Sequence, residues 1–218
     1  MNQKVFIFDL DGVIVDTAKY HYLAWQKLAQ QLGIDFTPEH NEELKGVSRV
    51  RSLEIILALG NITATPEDKD IWLKQKNDEY LSYLVTMDES EVLPGVLPVL
   101  DYLKQQNQKI VLGSASKNAV KILDKIGMLT EFDAIIDGNS VQNSKPDPEV
   151  FLKGAEALGI DPTSCIVFED AFAGLQAAQA ANMFTVGIGE PDVLAIADVL
   201  IPSFTGFTTD ELFAILEQ

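Results

Sequence analysis

The chain has 218 residues, 47% of them apolar, with 33 acidic against 16 basic side chains and a formal charge of −17. That length holds one ample core, or a core with a smaller appended domain. The charge argues against a nucleic-acid partner, which needs a basic footprint, and no apolar run approaches the ~18 residues that a membrane-spanning helix requires. The amino terminus has no basic segment ahead of a long apolar one, so no secretory signal is expected. The single cysteine, Cys165, leaves no internal disulfide framework. It lies in an apolar run, reads as a small core residue, and suits a reducing, cytoplasmic setting.

Val5-Phe6-Ile7-Phe8 reads as a short strand buried on both faces, running straight into Asp9-Leu10-Asp11-Gly12. The glycine lets the chain turn, so both carboxylates arrive at the strand's carboxyl end. A helical period then covers Thr17 to Leu32, with Tyr20, His21, Ala24, Trp25, Leu28 and Leu32 on one face and Gly33 as its stop. Further helices are expected over Pro38 to Leu44, Ser52 to Leu59, and Pro66 to about Val85. About 70 residues without a strand is too long for a loop and suits a small helical insert.

Strands and helices alternate from Pro94-Gly95 onward. Strands are expected at Lys109–Leu112, Ala134–Ile136, Cys165–Phe168, Phe184–Gly187 and, as an edge, Val199–Ile201. Helices are expected over Val96–Gln106, Asn118–Ile126, Asp147–Leu158, Ala171–Ala181 and Thr209–Leu216. Such alternation predicts an α/β fold, a doubly wound parallel Rossmann-like sheet with helices on both faces. Its first strand should lie between the second and fourth.

Four polar motifs sit at strand ends or before a helix: Asp9/Asp11, Ser114 and its neighbours, Lys145-Pro146, and Glu169-Asp170. At the switch point of a doubly wound sheet these ends share one crevice. A carboxylate there can act as nucleophile towards phosphorus, and a second can protonate the leaving oxygen. Mg²⁺ is often held by one or two carboxylates, which fits Asp9 and Asp170. Ser114, the following N–H groups and Lys145 can bind phosphoryl oxygens. Taken singly, the same residues read as an N-cap, a surface cation and a solvated loop. Met together at strand ends, they read as a phosphoryl-transfer site.

With these motifs the sequence resembles the haloacid dehalogenase superfamily of phosphotransferases. Asp9-Leu10-Asp11-Gly12-Val13 matches its first motif, Ser114 its second, Lys145-Pro146 its third and Glu169-Asp170 its fourth. The helical insert matches the family's four-helix cap. The resemblance implies a core domain of residues 1–16 and 88–218 and a cap domain of 17–87. Within the superfamily the cap and second motif are similar to those of the sugar-phosphate mutases, which move a phosphoryl group between two positions of one sugar through a bisphosphate.

By that resemblance Asp9 is the nucleophile and Asp11 the general acid and base. Asp9, the Asp11 carbonyl and Asp170 bind Mg²⁺, with Glu169 in support. Thr17, His21 and Trp25 match the first cap helix, while Lys45, Gly46, Val47, Ser48, Arg49 and Ser52 match the loop facing the sugar. Lys76 matches a cap lysine. Ser114 and Ala115 hold the reacting phosphate, and Ser116, Lys117 and Asn118 with Arg49 grip the distal one. Read from the residues alone, Lys76 and Arg49 also suit solvated cations, and His21 a core histidine. Asp16-Thr17 and Glu91 to Pro94 are the two crossings between the domains and the hinge candidates. The expected partners are small-molecule sugar phosphates, with no nucleic acid and no membrane, bound by a monomer. A sugar-phosphate phosphatase on the same scaffold and a non-catalytic sugar-phosphate sensor are the rival readings.

Overall fold

The computed structural model describes residues 4–216. Six strands, β1 (Val5–Phe8), β2 (Lys109–Gly113), β3 (Ala134–Ile136), β4 (Cys165–Glu169), β5 (Phe184–Ile188) and β6 (Val199–Ile201), form one sheet in the order β3-β2-β1-β4-β5-β6. Every pairing is parallel. β1 is central, as the alternating pattern predicts. Phe8 pairs with Leu112 on one side and Phe168 on the other, so all three strands end level. The strand order reverses beside β1, which opens a crevice above these ends.

Between β1 and β2 the chain forms α1 (Ala18–Gln31), α2 (Pro38–Glu42), α3 (Arg49–Leu59) and α4 (Pro66–Tyr83). α5 (Val96–Gln105) leads into β2, and α6 (Ala119–Lys125), α7 (Glu149–Leu158), α8 (Phe172–Ala180), α9 (Pro191–Leu194) and α10 (Thr209–Leu216) alternate with the later strands. Successive β1 side chains face opposite sides of the sheet. Phe6 and Phe8 meet Leu100, Leu103 and Ile122, whereas Val5 and Ile7 meet Phe151, Ala155 and Ala177. Phe8 stacks on Phe168 with ring centroids 4.7 Å apart. Each such buried ring contributes roughly 1.5–3 kcal/mol relative to an exposed one.

Helices α1 to α4 gather around a separate apolar cluster that includes Trp25, Leu28, Phe36, Leu53 and Ile56. α2 and α4 both open on Thr-Pro. Thr37 and Thr65 accept the N–H three residues on, and the side chains of His40 and Asp68 accept in return. The chain crosses between the two clusters twice, side by side. Asp16 N–H donates to the Glu91 carbonyl at 3.3 Å, and Leu93 N–H to that of Ile14 at 2.9 Å. Glu91 also binds Lys19 at 2.7 Å and the Tyr20 hydroxyl at 2.5 Å.

Several expected boundaries shift for local reasons. α3 begins at Arg49, not Ser52, because the Ser48 hydroxyl accepts the Arg51 N–H and caps the helix three residues early. α7 begins at Glu149, since Asp147 turns its carboxylate back to the Glu149 N–H at 3.0 Å. α4 ends at Tyr83 and tightens into a 3₁₀ turn over Leu84–Thr86. The four-residue helix α9 has no counterpart in the sequence reading.

Candidate active site

The level strand ends place Asp9, Ser114 and Glu169 side by side. Asp9 N–H donates to the Phe168 carbonyl at 3.0 Å, and Ser114 N–H to that of Ile136 at 2.9 Å. Beneath them Lys145, its side chain wholly buried, donates to Asp9 Oδ1 at 2.6 Å and Glu169 Oε1 at 3.4 Å. Its ammonium also lies over the Phe151 ring, 4.7 Å from the centroid. Burial alone would lower the lysine's pKa, but Asp9 and Glu169 outweigh it and the net shift is upward. The cation is therefore fixed as a charge beneath the crevice.

Asp9, Glu169 and Asp170 each offer a carboxylate oxygen within 4.8 Å of the others. Burial, then the charge of Asp9, pushes Asp170 up to about 7. Glu169 is raised well above the ordinary carboxylate range for the same two reasons, and its Oε2 has no hydrogen-bond partner. Three carboxylates this close, Asp9 and Glu169 buried and Asp170 half-buried, with one oxygen orphaned, form a hard-oxygen donor set that a divalent cation would neutralise. Gly12 makes the cluster possible: it has φ +83°, and a Cβ there would lie 2.0 Å from Asp170 Oδ2. Asp11 stands apart. Burial, then Asp9 and Asp170, holds its carboxyl well above the usual value.

These groups open into a cavity of about 540 Å³ lined on the sheet side by Asp9, Asp11, Asp170 and the Ser114–Lys117 loop. That loop is clamped from behind. Gly138 N–H donates to the Ser116 carbonyl at 3.1 Å, and Asn139 Nδ2 to that of Lys117 at 2.9 Å. The Ser114 hydroxyl accepts the Ser116 N–H at 3.1 Å. Asn118 lies off the wall: it is buried, and its amide donates across to Asn77 of α4 at 3.0 Å.

The helical segment supplies the opposite wall with His21, Trp25, Lys45, Gly46, Val47, Ser48, Arg49, Ser52 and Lys76. Gly46, at φ +72°, seats this loop against the sheet layer, because a Cβ there would come within 2.8 Å of the Ala171 Cβ. Lys76 is 1% exposed, which rules out a solvated lysine. Its Nζ lies 2.8 Å from His21 Nδ1 and over the rings of Trp25 and Tyr80, at 4.8 and 4.7 Å. Burial, then Arg49, lowers its pKa well below the ordinary lysine value. Burial, then Lys76, likewise lowers His21, so the imidazole is neutral, with the proton on Nε2 when Lys76 donates to Nδ1. Burial also lowers Arg49. Thr17 is fully buried beside Tyr80, off the wall.

Asn41, Leu44, Leu73, Gly138, Val141, Gln142 and Ser144 also line the cavity, and the sequence reading did not single them out. The Leu73–Lys76 spacing, one helical turn, was the available signal for Leu73.

Comparison with known proteins agrees with this geometry. A family model described as haloacid dehalogenase-like hydrolase matches residues 3–182. A β-phosphoglucomutase of Bacillus subtilis is 41% identical over 217 residues, 99% of this chain and 96% of that one. A fructose-1-phosphate phosphatase of Escherichia coli is 33% identical over 182 residues, 84% of this chain and 94% of that one. The crystal structure of a Clostridium difficile β-phosphoglucomutase superposes with a TM-score of 0.94 at 42% identity, covering 99% and 97% of the two chains. The chain belongs to the haloacid dehalogenase-like hydrolases.

Proposed function

We propose that this protein is a Mg²⁺-dependent β-phosphoglucomutase, interconverting β-D-glucose 1-phosphate and glucose 6-phosphate through an aspartyl-phosphate and a bisphosphate. The observation that carries the reading is the pairing of two anion-binding regions in one cavity. Ser114 flanks the carboxylates with Lys145 beneath them, while Arg49, Ser116 and Lys117 offer a second set of donors. A mutase binds a bisphosphate in two orientations and needs both. The similarity to the two β-phosphoglucomutases, over nearly the whole chain, supports the same reading.

Asp9 attacks phosphorus, and the bond from phosphorus to the sugar oxygen breaks. Asp11, whose raised pKa keeps it protonated, gives its proton to that oxygen. In the return step Asp11 takes the proton of the other sugar hydroxyl, which attacks the aspartyl-phosphate and frees Asp9. Lys145 holds one Asp9 oxygen in place throughout. Asp9, the Asp11 carbonyl and Asp170 would hold Mg²⁺, with Glu169 behind them; when bound it offsets charge on the transferring phosphoryl oxygens. Residues 17–87 act as a cap domain over a core of 1–16 and 88–218, and its closure keeps water from the aspartyl-phosphate. His21 and Trp25 line the sugar side, with Thr17 supporting α1 from behind. Asn118, tied to Asn77, positions the loop that carries Lys117. The protein works as a monomer in the cytoplasm.

The test is incubation with β-glucose 1-phosphate, Mg²⁺ and a trace of the bisphosphate. Glucose 6-phosphate without inorganic phosphate is the expected product. Stoichiometric phosphate would instead assign a sugar-phosphate phosphatase, the reading favoured by the similarity to a fructose-1-phosphate phosphatase.

A further inference from the structure

A second cavity, of about 620 Å³, lies on the other side of the Lys45–Val47 loop. Asp170 lines both cavities, as do Lys45 and Val47. The loop between them rests on the sheet layer at Gly46, against Ala171. Asp170, the half-buried member of the acidic cluster, thus faces two approaches, and their walls differ in charge. The first cavity carries Arg49, Lys76 and Lys117 besides Lys45. The second carries Glu42, Glu43 and Glu190, and its one lysine, Lys45, is paired with Glu42 at 2.7 Å.

We propose that the second cavity is the route by which a divalent cation reaches and leaves the Asp9–Asp170 cluster, separate from the route of the sugar phosphate. The inference rests on the metal role given to that cluster above. A cation entering through the first cavity passes the unpaired cationic side chains of Arg49 and Lys117, and a bound phosphate ester stands in its way. A cation entering through the second meets acidic walls, and clefts of one sign concentrate counter-ions and speed their association. The cavity has room for a hydrated cation, which with six waters occupies roughly 180 Å³ at about 30 Å³ per water. Metal and sugar phosphate then bind in either order, and metal exchanges while the sugar phosphate is in place.

Rapid-mixing EPR of Mn²⁺ with the full chain tests this. Ala173 lines the second cavity and Val50, exposed, lines the mouth of the first. Ala173→Trp is expected to slow Mn²⁺ uptake and release alike by at least about fivefold, leaving Kd within about twofold, because a plug changes both rates equally. Val50→Trp is expected to leave both rates unchanged. The double variant Glu43→Gln, Glu190→Gln is expected to slow uptake about two- to tenfold at low salt, with the difference vanishing near 1 M salt. The double variant carries the test alone if circular dichroism shows Ala173→Trp misfolded. Unmodified rates in both second-cavity variants, or slowing by Val50→Trp instead, would overturn the route. Absence of any Mn²⁺ uptake by the unmodified chain would overturn the metal role itself, a distinct result.

Discussion

At the scale of single residues, the site separates its carboxylates by what compensates each. Asp9 is held by Lys145, Asp11 has a raised pKa and one oxygen with no hydrogen-bond partner, and Asp170 stands beside Asp9 with its own pKa raised. With Asp170 raised to about 7, protons compete with metal below that pH. Isothermal titration should show Mg²⁺ affinity weakening as pH falls from 8 to 5, approaching tenfold per unit well below 7. The sign for stability is opposite. A carboxylate whose pKa is raised by folding binds more protons folded than unfolded, so the metal-free protein loses stability as pH rises from about 4 through 7. The rise in melting temperature on adding Mg²⁺ should therefore be larger at pH 8 than at pH 5. Lys145→Ala leaves Asp9 and Glu169 buried without their cation and should cost about 3–5 kcal/mol in urea unfolding. Three of the four motifs were legible because each pairs an apolar strand with a polar end, and the fourth, Lys145-Pro146, because it precedes a helix. The burial of Lys76 was not, because His21, Trp25 and Tyr80 surround it from 4 to 55 positions away along the chain.

At the scale of elements, two loops do the positioning. The Lys45–Arg49 loop turns at Gly46 and is capped by Ser48. Gly46→Ala combines a left-handed backbone with a contact of 2.8 Å to Ala171, so it should lift the loop. The backbone term alone costs about 1–2 kcal/mol. The expected kinetic signature is a higher KM for sugar phosphate, with aspartyl-phosphate formation from a small acyl phosphate largely retained. The second loop, Asp137 to Ser140, clamps the Ser114–Lys117 loop through Gly138 and Asn139. Strand and helix identities were legible from apolar periodicity. This clamp was not, because it is made by main-chain carbonyls and a single amide that carry no pattern along the chain. Boundaries moved where a side chain returned to the backbone, as at Ser48 and Asp147.

At the scale of the whole molecule, an acidic chain gathers a few basic side chains at one cavity. Arg49 and Lys76 come from the helical segment and Lys117 from the sheet layer. The two adjacent crossings at Asp16 and Glu91 are the hinge candidates between them. Glu91→Ala removes both the Lys19 and the Tyr20 contacts and should speed amide exchange across 14–20 and 88–93 without altering that of β1. The doubly wound sheet and central β1 followed directly from alternating elements, whereas the second cavity depends on where loops remote in sequence come to rest. The central claim is that Asp9 carries the phosphoryl group, and rapid quench with ³²P-labelled glucose 1,6-bisphosphate followed by peptide mapping tests it most directly. The label should appear on the peptide containing Asp9 and vanish in Asp9→Asn; label on any other residue, or turnover with no labelled protein, would contradict the account.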